Sequence, residues 1–131
     1  MEIRLGMSPI SWSNDDLPQL GGDTPLEVCL RETRMAGFTG TETGGKFPKQ
    51  PDALSAVLNE HDLSLVSGWY SGTLIHNDIA SEIEQITPQL ALFKEVGASV
   101  IVYGETYKTI QNQQSRPLSN RLKLSEFDHI E

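Results

Sequence analysis

A carboxylate, two glycines and a lysine stand close together in Glu42-Thr43-Gly44-Gly45-Lys46, a spacing that can bring a proton acceptor and a cation to one substrate. Glu42 closes an apolar run, where a carboxylate can bind a hydroxyl or move a proton. Lys46 lies beyond a Gly-Gly hinge on a long stem, and its ammonium can polarise a carbonyl oxygen. A solvated acid and a surface lysine are the plain alternatives. Asn14, Asp15 and Asp16 form a polar cluster in which one member caps its own turn and another can touch a substrate hydroxyl. Trp69 and Tyr70 set two amphipathic rings side by side in a chain that is only 7% aromatic, which fits the wall of a sugar pocket as well as core packing. Trp12 carries the same two readings. Tyr103 and Glu105 close a further apolar run, and Glu105 is the better polyol contact of the two.

Other reactive residue types point less firmly to chemistry. His61 adjoins Asp62 at a helix end, His76 precedes a helix cap and His129 lies near the end of the sequence. No HxH, HExxH or carboxylate-rich spacing links them, so no metal site is expected from this chain alone. Cys29 is the only cysteine, which excludes an intrachain disulfide and a cysteine-based zinc cage and reads as a small apolar residue packed on a sheet. The formal charge of −8 opposes binding to nucleic acid or an anionic membrane, since both require a basic face. MEIRLGMSPI lacks the apolar run of a signal peptide, and no segment approaches a membrane span. A cytoplasmic protein is the expectation.

Four short apolar segments position these groups: Arg4 to Pro9, Phe38 to Thr43, Leu63 to Gly68 and Ser99 to Gly104. Between them, the capping box Thr24-Pro25-Leu26-Glu27 predicts a helix to Ala36 stopped by Gly37. Pro51 opens a second helix with Leu54, Val57 and Leu58 on one face. A third begins near Asn77, carries Ile79, Ile83, Ile86, Leu90 and Phe93 at helical spacing to Gly97, and should kink at Pro88. The sequence therefore reads βαβαβαβ, a parallel sheet whose long loops follow the strand carboxyl ends, where functional groups gather. A complete (β/α)₈ barrel needs about 250 residues, so 131 residues fit half a barrel or a small open α/β sheet. The whole chain reads as a single domain. Residues 106–131 read as a polar loop and the start of a fourth helix through Leu122, Leu124, Phe127 and Ile130, with the barrel cut short.

The run SPISWSNDDLPQLGGDTPLEVCLRETRMAGFTGTETGGKFP, with LVSGWYSG and VIVYGE after it, resembles the amino-terminal half of the inosose dehydratases, a family of xylose-isomerase-like TIM barrels. The resemblance extends from Ile3 to about Leu124. It implies a lyase of inositol catabolism that removes water from 2-keto-myo-inositol to give a trihydroxycyclohexanedione. It further implies a divalent metal, manganese or cobalt, and glutathione as cofactors, with the metal ligands outside this chain.

On that resemblance Glu42 and Lys46 are the catalytic candidates, while Trp12, Asn14, Asp15, Trp69, Tyr70 and Glu105 are candidates for substrate binding. The isolated chain is then expected to be inactive. A related sugar isomerase or epimerase, or a noncatalytic fragment that self-associates through exposed sheet edges, is the alternative. The partner expected is a small polyol or keto-inositol, with no nucleic acid and no membrane, and a homo-oligomer could form through the sheet edges.

Overall fold

The computed structural model describes residues 3–110 together with 115 and 117; the residues read above as the start of a fourth helix lie outside the described set, as does His129. Among the described residues four strands alternate with three helices: β1 (Gly6–Met7), α1 (Leu26–Met35), β2 (Gly40–Thr43), α2 (Pro51–Glu60), β3 (Ser64–Gly72), α3 (Ile79–Val96) and β4 (Val102–Glu105). A short 3-10 helix at Pro9–Ser11 follows β1.

All pairings are parallel and the strand order is β1-β2-β3-β4, so each strand lies beside its successor in sequence. A doubly wound open sheet reverses its order at a switch point, and none occurs here. The arrangement is that of half a (β/α)₈ barrel, which decides between the two architectures left open by length. The ladder is also staggered. β3 meets β2 through Ser64 to Gly68 and β4 through Trp69 to Gly72, the displacement that strand tilt around a barrel produces.

The helices cover one face of the sheet. Leu30 of α1, Leu54 and Leu58 of α2 and Phe93 of α3 pack with Phe47, Leu63 and Leu65 into a buried cluster. Each such side chain contributes about 1.5–3 kcal/mol on burial. Thr41, which stands where an apolar residue would be usual, is 1% exposed, and the carbonyls of Met7 and Glu42 lie 3.1 and 3.0 Å from its hydroxyl oxygen to share its one proton.

Several boundaries differ from the sequence expectation. α1 begins at Leu26 with Pro25 as its cap residue and no side-chain cap hydrogen bond, so the capping box does not form. The Thr24 carbonyl instead receives Lys46. β3 continues to Gly72, which places Trp69 and Tyr70 within a strand rather than a loop. β4 starts at Val102.

α3 runs without a break through Pro88, but its expected apolar stripe is largely exposed at Ile79, Ile83 and Leu90. Its inward side instead carries Glu82 and Phe93, because Glu82 hydrogen-bonds the loop above and Phe93 fits against Gly68. The helix stops are those the glycines predicted: Gly37 and Gly97 adopt φ of +91° and +85°.

Candidate active site at the strand carboxyl ends

A cavity of about 530 Å³ opens at the carboxyl ends of β1, β2 and β3. Ser8 and Pro9 follow β1, Glu42 to Phe47 end β2 and enter its loop, and Trp69 and Ser71 come from β3. The loop before α1 adds Ser13 to Asp16. Of the sequence candidates, this arrangement brings together Asn14, Asp15, Glu42, Lys46 and Trp69.

Glu42 is half-buried, and its Oε1 accepts a hydrogen bond of 2.6 Å from the Ser67 hydroxyl. Lys46 reaches across the cavity wall and donates from Nζ to the carbonyls of Thr24 and, at 3.3 Å, Gly21. Two of three ammonium protons are thereby directed at backbone, leaving one for the cavity. Asp15 accepts the Gly45 amide at 2.6 Å, which ties the first loop to the second. Asn14 Oδ1 accepts the amides of Asp16 and Leu17 at 2.9 and 3.0 Å, so Asn14 is the member of the cluster that caps the turn.

Trp69 is 54% exposed, with its indole N–H held by Ser71 Oγ at 2.9 Å and its carbonyl held by the Gln89 side chain. Its ring lies over Gly104, where a Cβ would stand 2.1 Å from the ring. The indole is thus a fixed, partly open surface at the cavity wall.

Three candidates lie elsewhere. Trp12 does not line the cavity and donates its indole N–H to Glu32 of α1 at 2.6 Å. Tyr70 stacks on Tyr103, ring centroids 5.8 Å apart, on the α3 side of the sheet. Glu105 accepts the amides of Tyr107 and Ile75 at 2.8 and 3.3 Å, joining the loops after β4 and β3.

Two participants were not singled out in the sequence. Ser67 stands behind Glu42, and Glu82 is a buried carboxylate that gathers Thr73, Asn77 and Tyr103. Burial alone would raise the Glu82 pKa, but hydrogen bonds from Asn77, the Thr73 amide and the Tyr103 hydroxyl hold it below the ordinary glutamate value. Burial and then the Glu82 carboxylate push the Tyr70 and Tyr103 phenols upward. Burial likewise raises the Cys29 thiol, against the opposing charge of Lys46, so the sulfur at the cavity floor stays protonated and unreactive.

Among the described residues no group of three or more His, Cys, Asp and Glu is placed to hold a metal ion. Of the cavity carboxylates, Glu42 is held by Ser67 and Asp15 by the Gly45 amide, while Asp16 lies in the same loop as Asp15. These residues alone do not fit a divalent metal, and a metal here would need further ligands. Among the described residues no helix is long and apolar enough to cross a membrane. His61 caps α2, and His76 stacks on Tyr107 at 4.9 Å.

No protein-family model matches the chain. It is 47% identical over 124 residues to the rhizopine catabolism protein MocC of Rhizobium meliloti, covering 95% of this chain and 38% of that protein. It is 37% identical over 120 residues to the inosose dehydratase of Geobacillus thermodenitrificans, covering 92% of this chain and 40% of that protein. The inosose dehydratase of Mesomycoplasma hyopneumoniae is 37% identical over 116 residues, which are 88% of this chain and 38% of that one. The chain therefore spans about two fifths of the length of the curated relatives it matches.

Among solved structures, an AP endonuclease, family 2, from Brucella melitensis superposes with a TM-score of 0.54 at 16% identity, over 76% of this chain and 40% of that chain. That likeness is one of fold alone.

Proposed function

Starting from its homology to the inosose dehydratases, we propose that this chain supplies the first four β/α units of a barrel that dehydrates 2-keto-myo-inositol to a trihydroxycyclohexanedione. The observation that carries the reading is the joining of Glu42, Lys46 and Trp69 around one cavity at the strand carboxyl ends, in a chain similar to enzymes of that name.

The chemistry fits those groups. Loss of water beside a ketone begins with removal of the proton on the carbon next to the carbonyl, giving an enediolate. The hydroxyl on the following carbon then leaves with a proton, and the resulting enol becomes the dione. Proton and hydroxyl depart together as one water. In this reading Glu42 takes the first proton or binds the neighbouring hydroxyl. The remaining Lys46 proton can meet the carbonyl oxygen as negative charge grows there. Trp69 offers an apolar surface to the C–H face of a cyclitol ring, while Asn14 and Asp15 border its hydroxyls.

The same reading brings a divalent metal, manganese or cobalt, and glutathione, with metal ligands beyond the described residues. A divalent cation would supply positive charge for the oxyanion. The protein would then be cytoplasmic.

Titration of the ¹⁵N-labelled chain with 2-keto-myo-inositol tests the assignment. The amides of Gly44, Gly45 and Lys46 and the Trp69 indole N–H should move together and saturate. Millimolar ligand that leaves these signals in place would remove the reading.

A further inference from the structure

The ladder between β2 and β3 shifts between Thr41 and Glu42. Thr41 pairs with Leu65 and Glu42 pairs with Ser67, so Val66 has no partner on β2. A bulge of this kind re-aims the side chains beyond it. Without it Val66 would stand beside Glu42, and the carboxylate would face a hydrocarbon. The extra residue is accommodated by two glycines: a Cβ on Gly40 would lie 2.4 Å from Val66 Cγ1, and one on Gly6 would lie 2.8 Å from Val66 Cγ2.

The shift brings a hydroxyl to the acid. Ser67 Oγ donates to Glu42 Oε1 at 2.6 Å, within the short range of charge-assisted O–H···O⁻ bonds. Ser67 is 7% exposed and does not line the cavity, whereas Glu42 does. Among the described residues Glu42 Oε2 accepts no hydrogen bond, so the two carboxylate oxygens have distinct surroundings.

We propose that Ser67 is a positioning residue for Glu42: it fixes Oε1 from behind and leaves Oε2 for a hydroxyl or α-proton of the substrate. The bulge at Val66 and the glycines at 6 and 40 are the devices that make this possible. Identification of the substrate as a keto-inositol rests on the dehydratase reading, whereas the Ser67–Glu42 bond does not.

The test uses the 131-residue chain with ¹³C-labelled glutamate carboxyl groups, the Glu42 signal being assigned by its loss in Glu42→Gln. Ser67→Ala should shift that signal and weaken binding of 2-keto-myo-inositol about tenfold, while Ser67→Thr, which keeps the hydroxyl, should restore both to within about threefold in affinity. If Ser67→Ala does not fold, the isosteric pair Ser67→Thr and Ser67→Val carries the same comparison. An unchanged Glu42 signal, or equal affinity in the Thr and Val variants, overturns the proposal. If the wild-type chain binds no keto-inositol, the dehydratase reading falls, and the carboxyl signal alone decides whether Ser67 holds Glu42.

Discussion

Asp15 accepts the amide proton of Gly45 at 2.6 Å across two loops separated by α1, and it comes this close because residue 45 has no side chain. A Cβ at that position would meet the Asp15 carboxylate at 3.0 Å. Together with Lys46 on the Thr24 carbonyl, the contact gives the cavity a wall made from both loops. Gly45→Val and Asp15→Ala should each separate the loops, lowering stability by about 1 kcal/mol while accelerating amide exchange at residues 44–46. Exchange as slow as in the wild type would show that the loops hold without this contact.

With a complete barrel assembled around this segment, Glu42→Gln keeps the size of the side chain and removes its charge. We expect kcat to fall about 10²-fold or more, the range typical of general acid–base groups. Lys46→Met should also raise KM, since an ammonium on the substrate oxygen contributes to ground-state binding. Steady-state kinetics with folding verified by circular dichroism checks both. Unchanged values would reduce the two residues to scaffold.

On the dehydratase reading this chain corresponds to about two fifths of its relatives and the metal ligands lie outside it, so by itself it should not catalyse dehydration. The 131-residue chain assayed with added manganese or cobalt should give no dione above background. Turnover near that of a full-length relative would refute this.

Self-association is the next expectation. Among the described residues β1 and β4 each have a strand on one side only, and unpaired strand edges recruit further strands. Light scattering on the purified chain should show dimers or larger species whose proportion rises with concentration. A stable monomer at high concentration would contradict the expectation.

Acid should loosen the connection between β3 and α3. Asp78, held low by the Ser81 amide, and Glu82, held low by its donors despite burial, both have depressed pKa values in the folded chain. Their contribution is complete above the unfolded-state values, 3.8 and 4.5, and is lost as pH falls through the lower folded values. Glu82→Gln should flatten the acid side of the stability profile and lower the melting temperature by several degrees at neutral pH. A thermal melt series between pH 2 and pH 7 reads both effects.

Much of the scaffold was legible because local rules and tertiary demands agree. Gly37 and Gly97 end helices by adopting left-handed backbone, Pro51 opens α2, and minimal helix-to-strand turns leave the longer loops at the strand carboxyl ends. Glu42, Lys46, Asp15 and Trp69 could be gathered from that placement.

The bulge could not, since a register shift depends on which neighbour a strand finds. Ser67 therefore read as one more strand residue. Glu82 carries no sequence signal of its own, because its donors Thr73, Asn77 and Tyr103 meet it only once the loop after β3 and strand β4 are in place. The length of β3 separates the two adjacent rings: beyond Gly68 the strand sends Trp69 and Tyr70 to opposite faces, and of the two Trp69 lines the cavity.

Two aromatic rings in this half barrel occupy the space a neighbouring strand leaves by omitting a side chain. Trp69 lies over Gly104, and Tyr103 lies over Gly72, where a Cβ would stand 2.0 Å from its ring. β3 and β4 thus exchange bulk reciprocally, each giving up volume where the other projects a ring. Evolutionary change at these positions should accordingly be paired. A lineage that gains a side chain at Gly104 must shrink or redirect the indole at Trp69, and with it reshape the cavity wall that Trp69 forms.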